Sequence, residues 1–447
     1  MKHIQFIILL LTTTVSFSQE IPQSLSLQEA IDYALENNRT AKNAQRDIEA
    51  AKQQKWETIA SGLPQISATI DYNHWLKQQV SLIPAEFFGG NPGEFAEVRF
   101  GTTKTMNATA TLNQKIFDGS YLVGLQSAKV FLEISKNAKE KTDLQVREAV
   151  INAYGNVLLS EESVKILERN LSVLEKNLNE TTKIYENGLG EEENVEQLQI
   201  TLSGIKSSLS NTERLKTLAY KMLNITLGVD LNSTIQLTDN LNSLTSQNVV
   251  LNLLDADENV EQTIDYKIAA NDRVSKELLL KLEKSKALPT LNAFINGGYS
   301  GNNDKFQFLK SSQEWFGSSL LGVSMNIPIF SSGMRAAATQ RAKINLEKAI
   351  DNLTETEQQL KLQIESAKSE YRFAIEDYHN KQENLNLAER IEGKNQVKFF
   401  EGISTSFDLR QAQTQLYTSQ QELLQAMLDV INKKAALETV LNEIPKN

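Results

Sequence analysis

Apolar and polar residues alternate along four short segments of the chain. In the first, Ile66, Ala68, Ile70 and Tyr72 alternate with Gln65, Ser67, Thr69, Asp71 and Asn73. In the second, Met106, Ala108, Ala110 and Leu112 alternate with Asn107, Thr109, Thr111 and Asn113. The third sets Leu291, Ala293, Ile295 and Tyr299 against Thr290, Asn292 and Asn296, with Phe294 on the polar face. The fourth sets Leu321, Val323, Met325, Ile327 and Ile329 against Gly322, Ser324 and Asn326. A period of two gives each strand one apolar and one polar face. Each run is about 9–11 residues, the length of a tilted strand crossing a bilayer. The Asn, Thr and Ser of the polar face suit a surface that lines water. Any one strand fits an ordinary antiparallel sheet with a wet face equally well. The set of four favours the membrane, as do the aromatics: Trp75, Phe87, Phe88, Trp315 and Phe316 at or beyond the loop ends, and Phe117 and Phe330 at the helix ends, resemble interface girdles.

Between the strand pairs the period changes to 3.5. A seam of Val157, Val164, Leu167, Leu171, Leu174, Leu178 and Tyr185 returns as Val195, Leu198, Leu202, Ile205 and Leu209. A second runs Leu353, Leu360, Ile364, Ala367, Tyr371, Ala374, Tyr378, Leu385 and Ala388, returning as Leu409, Ala412, Leu416, Ser419, Leu423, Ala426, Val430, Leu437 and Val440. This spacing predicts two coiled-coil hairpins. Gly119 to Gly188 and Gly333 to Gly402 are both steps of 69 residues. Without a proline, each is a helix of roughly 100 Å. Leu63-Pro64 and Leu288-Pro289 open the two strand sections, which are 55 residues (Pro64 to Gly119) and 44 residues (Pro289 to Gly333). The chain is therefore an internal duplication with fixed helix length and variable loops. The other helix faces carry small polar residues, as in Thr201-Leu202-Ser203-Gly204 and Gln411-Ala412-Gln413-Thr414-Gln415. They suit a wall of helices better than a free-standing spacer, the competing reading.

A capping box at Ser26 and Glu29 opens a helix toward Trp56. Its counterpart runs from near Asp257 through Ile268 to Leu282. Lys2 and His3, the apolar run Ile4 to Leu11 and Ser16-Phe17-Ser18 read as a leader, with Gln19 the first mature residue. The expected organisation is a signal peptide (1–18), N-terminal periplasmic helices (19–62), a first strand pair (63–118) and a first long hairpin (119–227). An equatorial linker (228–254) with a strand-like run at Ile235-Gln236-Leu237 leads to the helix of the second repeat (255–287), a second strand pair (288–330) and a second long hairpin (331–443).

The chain has no cysteine, which excludes disulfides and thiolate chemistry. Its net charge of −10 argues against a nucleic-acid partner. Past the leader no run of about 20 apolar residues exists, so entry into a membrane must be as strands. Four strands leave two open edges, which lipid does not tolerate, and membrane barrels begin at about eight strands. The chain must oligomerise: three copies give twelve strands, and two give eight with a filled interior. No catalytic residue, cofactor or metal site is read. The three histidines, His3, His74 and His379, lack ligand spacing, and Gly89-Gly90-Asn91-Pro92-Gly93 is a loop tip rather than a phosphate loop.

The order of these features resembles the TolC-type outer-membrane efflux proteins over essentially the whole mature length. Leu27-Gln28-Glu29-Ala30-Ile31-Asp32-Tyr33-Ala34-Leu35-Glu36-Asn37-Asn38 and the two Leu-Pro openings carry the resemblance. So do the strand-to-helix turns Ile116-Phe117-Asp118-Gly119 and Ile329-Phe330-Ser331-Ser332-Gly333, and the tips Gly188 and Gly402. It implies a mixed α+β membrane protein: a homotrimeric twelve-stranded β-barrel in the Gram-negative outer membrane, continuous with a long periplasmic α-helical barrel. The implied function is the passive exit duct of a tripartite efflux pump or type I secretion system. The implied partners are a periplasmic adaptor, an inner-membrane RND or ABC transporter and outer-membrane lipid. Gly188-Leu189 and Gly402-Ile403 match the family's adaptor-docking tips, although Asn187 and Glu401 stand where an apolar residue is usual. Asp408 matches one carboxylate of the pore constriction, while Gln411 departs at the next position and Asn194 stands in the first repeat. Phe399 and Ser404 replace the residues of the family's gating links. Asp408 also reads as a helix-start acid favoured by the dipole. Other classes are a non-conducting trimeric coiled-coil fibre or adhesin, distinguished by conductance, and a soluble periplasmic protein, distinguished by extraction without detergent.

Overall fold

The computed structural model describes residues 23–255 and 259–443. The expected leader, Gln19 and the helix start near Asp257 lie outside the described residues. In chain order the elements are β1 (Ser24–Leu25), α1 (Leu27–Asn37), α2 (Arg39–Ala60), β2 (Gln65–His74), β3 (Val80–Pro84), β4 (Phe95–Arg99) and β5 (Lys104–Phe117). Then come α3 (Gly119–Glu186), α4 (Glu192–Leu227), β6 (Gln236–Leu237), α5 (Leu241–Asn248) and α6 (Ile264–Ser285). Last are β7 (Thr290–Asn303), β8 (Trp315–Asn326), α7 (Met334–Phe400) and α8 (Ser406–Leu441). The long helices match across the repeats: α3 and α7 have 68 and 67 residues, α4 and α8 have 36 each.

The chain divides into two compact units, Met1–Asp47 with Lys136–Ile268 and Thr354–Asn447, and Ile48–Ser135 with Ala269–Leu353. In the first, the seams of the long helices bury Val150, Tyr154, Val157, Leu223, Leu227, Ile364, Tyr371, Val430, Ile431 and Leu437 around Ala30, Ile31 and Ala34 of α1. Burying each such aliphatic side chain contributes about 1.5–3 kcal/mol. Two fully buried tyrosines tie the connecting segment to this core. Tyr154 Oη donates to the Leu25 carbonyl (3.0 Å) or Asp239 Oδ2 (2.9 Å), and Tyr371 Oη donates to the Asn248 carbonyl (2.6 Å) and accepts from Val250 N (2.9 Å). The strand-like run at 235–237 is β6, which pairs in parallel with β1. Helix α5, capped by Asn240, lies in the same segment and has only a weak periodic signal.

The helix expected from the capping box toward Trp56 is two helices. The Ser26–Glu29 box forms, but Asn38 leaves the helical region (φ −57°, ψ 134°). Its side chain starts α2 by accepting from Thr40 N (2.8 Å) while donating to the Thr226 carbonyl (2.7 Å).

In the second unit the sheet order is β2-β5-β7-β8, antiparallel throughout, with β2 and β8 at the edges. The register puts Ile66, Leu112, Ile295 and Leu321 in one row, and Tyr72, Met106 and Gly301 in another of the same face. The opposite face carries Ser67, Thr111, Asn296 and the apolar Leu320 in one row, where Asn296 Nδ2 donates to Thr111 Oγ1 (3.1 Å). Phe294 occupies this polar face because Gly322 lies opposite; a Cβ there would collide with the ring. β8 stops at Asn326, short of the expected Ile327 and Ile329, because Pro328 has no N–H for the ladder. The longer loop of the first repeat folds into the hairpin β3–β4.

Candidate functional site

Two surfaces answer to the residues singled out from the sequence. The first is the sheet. Its apolar face lies open to the surroundings: Ile66 is 74% exposed, Ile70 72%, Leu321 72% and Val323 68%. Such a continuous face is unusual for a chain bathed in water. Where the strands end, Tyr72, Phe306, Phe308 and Trp315 form a cluster with centroids 5.5–6.3 Å apart, edge to face except for the tilted Phe308–Trp315 pair. This is a rim of aromatics built from β2, the β7–β8 loop and the first residue of β8, and Tyr72, Phe306 and Phe308 were not among the rim residues expected from the sequence. Both edge strands present unpaired backbone groups.

The strand-to-helix turns differ. Gly119 is the first residue of α3, and its lack of a side chain admits Ser285 and Leu288. Asp118 caps the helix, Oδ1 accepting from Ser120 N (2.8 Å) and Tyr121 N (3.2 Å). Gly333 is left-handed (φ 82°) after a left-handed Ser332 (φ 47°). Arg335 clamps this turn by donating to the carbonyls of Pro328 (2.7 Å) and Ile329 (3.3 Å). The Asp-Gly-Ser sequence at 118–120 carries a cap signal; nothing local announces the Arg335 clamp.

The second surface is the pair of helix-to-helix tips, in the first unit. Gly188 (φ 72°) and Gly402 (φ 74°) end their helices identically. Gly188 N bonds the Tyr185 carbonyl and Leu189 N that of Ile184; Gly402 N bonds Phe399 and Ile403 N bonds Lys398. Each is a Schellman cap requiring a left-handed residue. The following residues, Leu189 and Ile403, are 81% and 71% exposed. One groove is lined from both tips, by Leu189 and Asn194 on one side and by Phe399, Phe400, Gly402 and Phe407 on the other.

Asp408 closes a capping box at the start of α8: it accepts from Thr405 N (3.1 Å), and Thr405 Oγ1 accepts from Asp408 N (3.2 Å). The Thr405 hydroxyl, then its N–H, holds the Asp408 carboxyl below the usual range. Asp408 and Gln411 share one exposed face of α8, whose opposite side buries Leu409, Ala412 and Gln413. Asn194 is half-buried. No group of three or more His, Cys, Asp or Glu that could hold a metal occurs among the described residues, and no described helix is long and apolar enough to cross a membrane.

With this geometry in hand, the comparisons decide the family. The model of the outer membrane efflux protein family matches residues 30–229 and 269–443. The chain belongs to the outer membrane efflux protein family. It is 20% identical over 410 residues, 91% of this chain and 88% of its relative, to outer membrane protein TolC of Vibrio cholerae. Solved structures of outer membrane channels share the fold. The Campylobacter jejuni CmeC outer membrane channel has a TM-score of 0.72 and 17% identity, covering 93% of this chain and 85% of that one. CusC has a TM-score of 0.72 and 18% identity, covering 95% of both chains. The protein is thus an outer-membrane efflux channel of tripartite pumps that extends into the periplasm. Members of the family are channels rather than enzymes, are trimeric, and work with adaptor and inner-membrane pump partners.

Proposed function

We propose that three copies of the chain join β2 of one to β8 of the next, closing a twelve-stranded barrel that serves as a passive exit duct. The observation that carries this reading is the four-stranded sheet with an open apolar face and two unpaired edges. Lipid accepts the apolar face, but it accepts unpaired backbone only if another copy pairs with it. The polar rows of Ser, Thr and Asn then line water.

At the tips, Gly188-Leu189 and Gly402-Ile403 offer an adaptor two exposed aliphatic side chains on rigid caps. Three Asp408 carboxylates, kept ionised by their capping hydrogen bonds, form a cation-preferring ring, with Gln411 one turn on and Asn194 at the neighbouring tip. The inner-membrane partner, of the RND or ABC kind, supplies the energy for efflux or for type I secretion. Planar-bilayer recording tests the duct: discrete conductance steps with a cation preference that Asp408→Asn reduces are expected. A folded, membrane-inserted protein that never conducts would instead favour a non-conducting structural role.

A further inference from the structure

Phe294 breaks the polar face of the sheet, and a wall that only holds water does not account for it. Its ring lies across Gly322, where a Cβ would come within 2.3 Å of Cζ. Tyr299 covers Gly317 in the same way on the apolar face, with Cε1 3.3 Å from such a Cβ. Covering a strand glycine explains where each ring rests. It does not explain the second apolar residue beside Phe294. Register sets Phe294 opposite Gly322 and Asn296 opposite Leu320. Leu320 and Phe294 are therefore diagonal neighbours on one face, close enough for long and aromatic side chains to meet. Leu320 is 61% exposed and Phe294 is half-buried, so the pair leaves an apolar step open on the face that lines water.

The surroundings set the chemistry that the step accepts. The same two rows hold Asn113, Thr111 and Asn296, which donate and accept hydrogen bonds without charge. Along the polar face of all four strands the only charges are Asp71 and Lys115. Asp71 lies two rows past that of Leu320. Lys115, in the row beside that of Phe294, holds its ammonium 5.4 Å from the centre of the Tyr121 ring. A solute with an aromatic ring and neutral hydroxyl or amide groups finds here both an apolar surface and hydrogen-bond partners. We infer that Phe294 and Leu320 form a binding step in the duct for uncharged, ring-bearing polar organic solutes, with the flanking amides taking their hydroxyl or amide groups. This rests on the duct reading above, which makes this face the wall of the channel.

The chain has no cysteine, so one introduced thiol reports on the step. Val323 and Ser324 are consecutive in β8 and lie on opposite faces, Ser324 on that of Gly322. In vesicles, a membrane-impermeant maleimide is expected to label Ser324→Cys and not Val323→Cys. Para-nitrophenyl glucoside, neutral and carrying a ring, should slow the labelling of Ser324→Cys saturably, whereas methyl glucoside at the same concentration should not. Adding Phe294→Ser should raise the half-protecting concentration about two- to tenfold, the value of one aromatic pairing. Leu320→Asn, at an exposed position, should raise it by a smaller factor. Labelling that para-nitrophenyl glucoside does not slow, that both glucosides slow alike, or whose protection is unchanged in both variants would overturn the step and leave the duct standing. Phe294 would then serve only to cover Gly322. Labelling of Val323→Cys in place of Ser324→Cys would reverse the two faces and remove the duct reading, and the step with it.

Discussion

The two helical hairpins are copies with the same length and caps but different seams. Positions 214 residues apart correspond, as Gly188 does to Gly402. Leu174, Leu198 and Ile205, packed together in the first hairpin, become Ala388, Ala412 and Ser419 in the second, all buried. Leu178 becomes Glu392, half-buried, and Leu167 becomes Lys381, which pairs with Glu422 (3.1 Å). Between the hairpins, toward the tips, amide pairs accompany the apolar contact of Tyr417 with the first hairpin's leucines: Asn170 to Gln420 (2.8 Å) and Asn177 to Gln396 (3.2 Å). At these positions toward the tips the first hairpin is thus held by aliphatic burial and the second by smaller or more polar side chains, while both hairpins share one apolar core farther from the tips.

The comparison breaks first at Leu174. Leu174→Ala should cost about 2–5 kcal/mol, the penalty of a buried cavity, whereas Ala388→Gly should cost only about 1 kcal/mol through helix propensity. Denaturant midpoints of the solubilised protein check this, and equal losses would mean that the seams are equivalent. A comparable contrast lies at the helix ends. Gly228 (φ 83°) and Asn442 (φ 59°) make the same cap, but a Cβ at Gly228 would collide with the Asn37 carbonyl. Gly228→Ala should cost roughly 2–4 kcal/mol, from left-handed strain and overpacking together. Asn442→Gly, which gives up a side-chain bond to Glu140 Oε1 (2.9 Å), should cost about 1 kcal/mol.

The smallest expected effect is in pH. Burial between the helices raises the Glu392 carboxyl above its ordinary value. Its neutral form therefore stabilises the second hairpin fully below the usual glutamate pKa of about 4.3. That contribution fades as pH rises through the raised folded value. Proteolytic susceptibility of the second hairpin should increase over this interval, and Glu392→Gln should flatten the dependence. The first hairpin, with Leu178 at this position, should show no corresponding trend.

Much of this was legible in the sequence, since period-two strands, 3.5-residue seams and glycine tips are local signals. The seam positions chosen by spacing, such as Leu174 and Tyr371, are fully buried, and the Ser26–Glu29 box forms as its spacing predicts. What escaped depends on distant partners. The break at Asn38 needs the Thr226 carbonyl, 188 residues away, and the second repeat's turn depends on Arg335 reaching back to carbonyls. Asp408 was legible as a helix-start acid, and its partner Thr405 completes a box that the tip glycine had overshadowed. The hairpin β3–β4 was hidden in a loop because its runs, Val80–Pro84 and Phe95–Arg99, are only five residues each.

Native mass spectrometry of the detergent-extracted, folded protein tests the central claim most directly. Because β2 and β8 can be satisfied only by other copies, the account predicts one species of three chains. A folded single chain, or a stable pair, would show that the sheet closes in some other way and would contradict it.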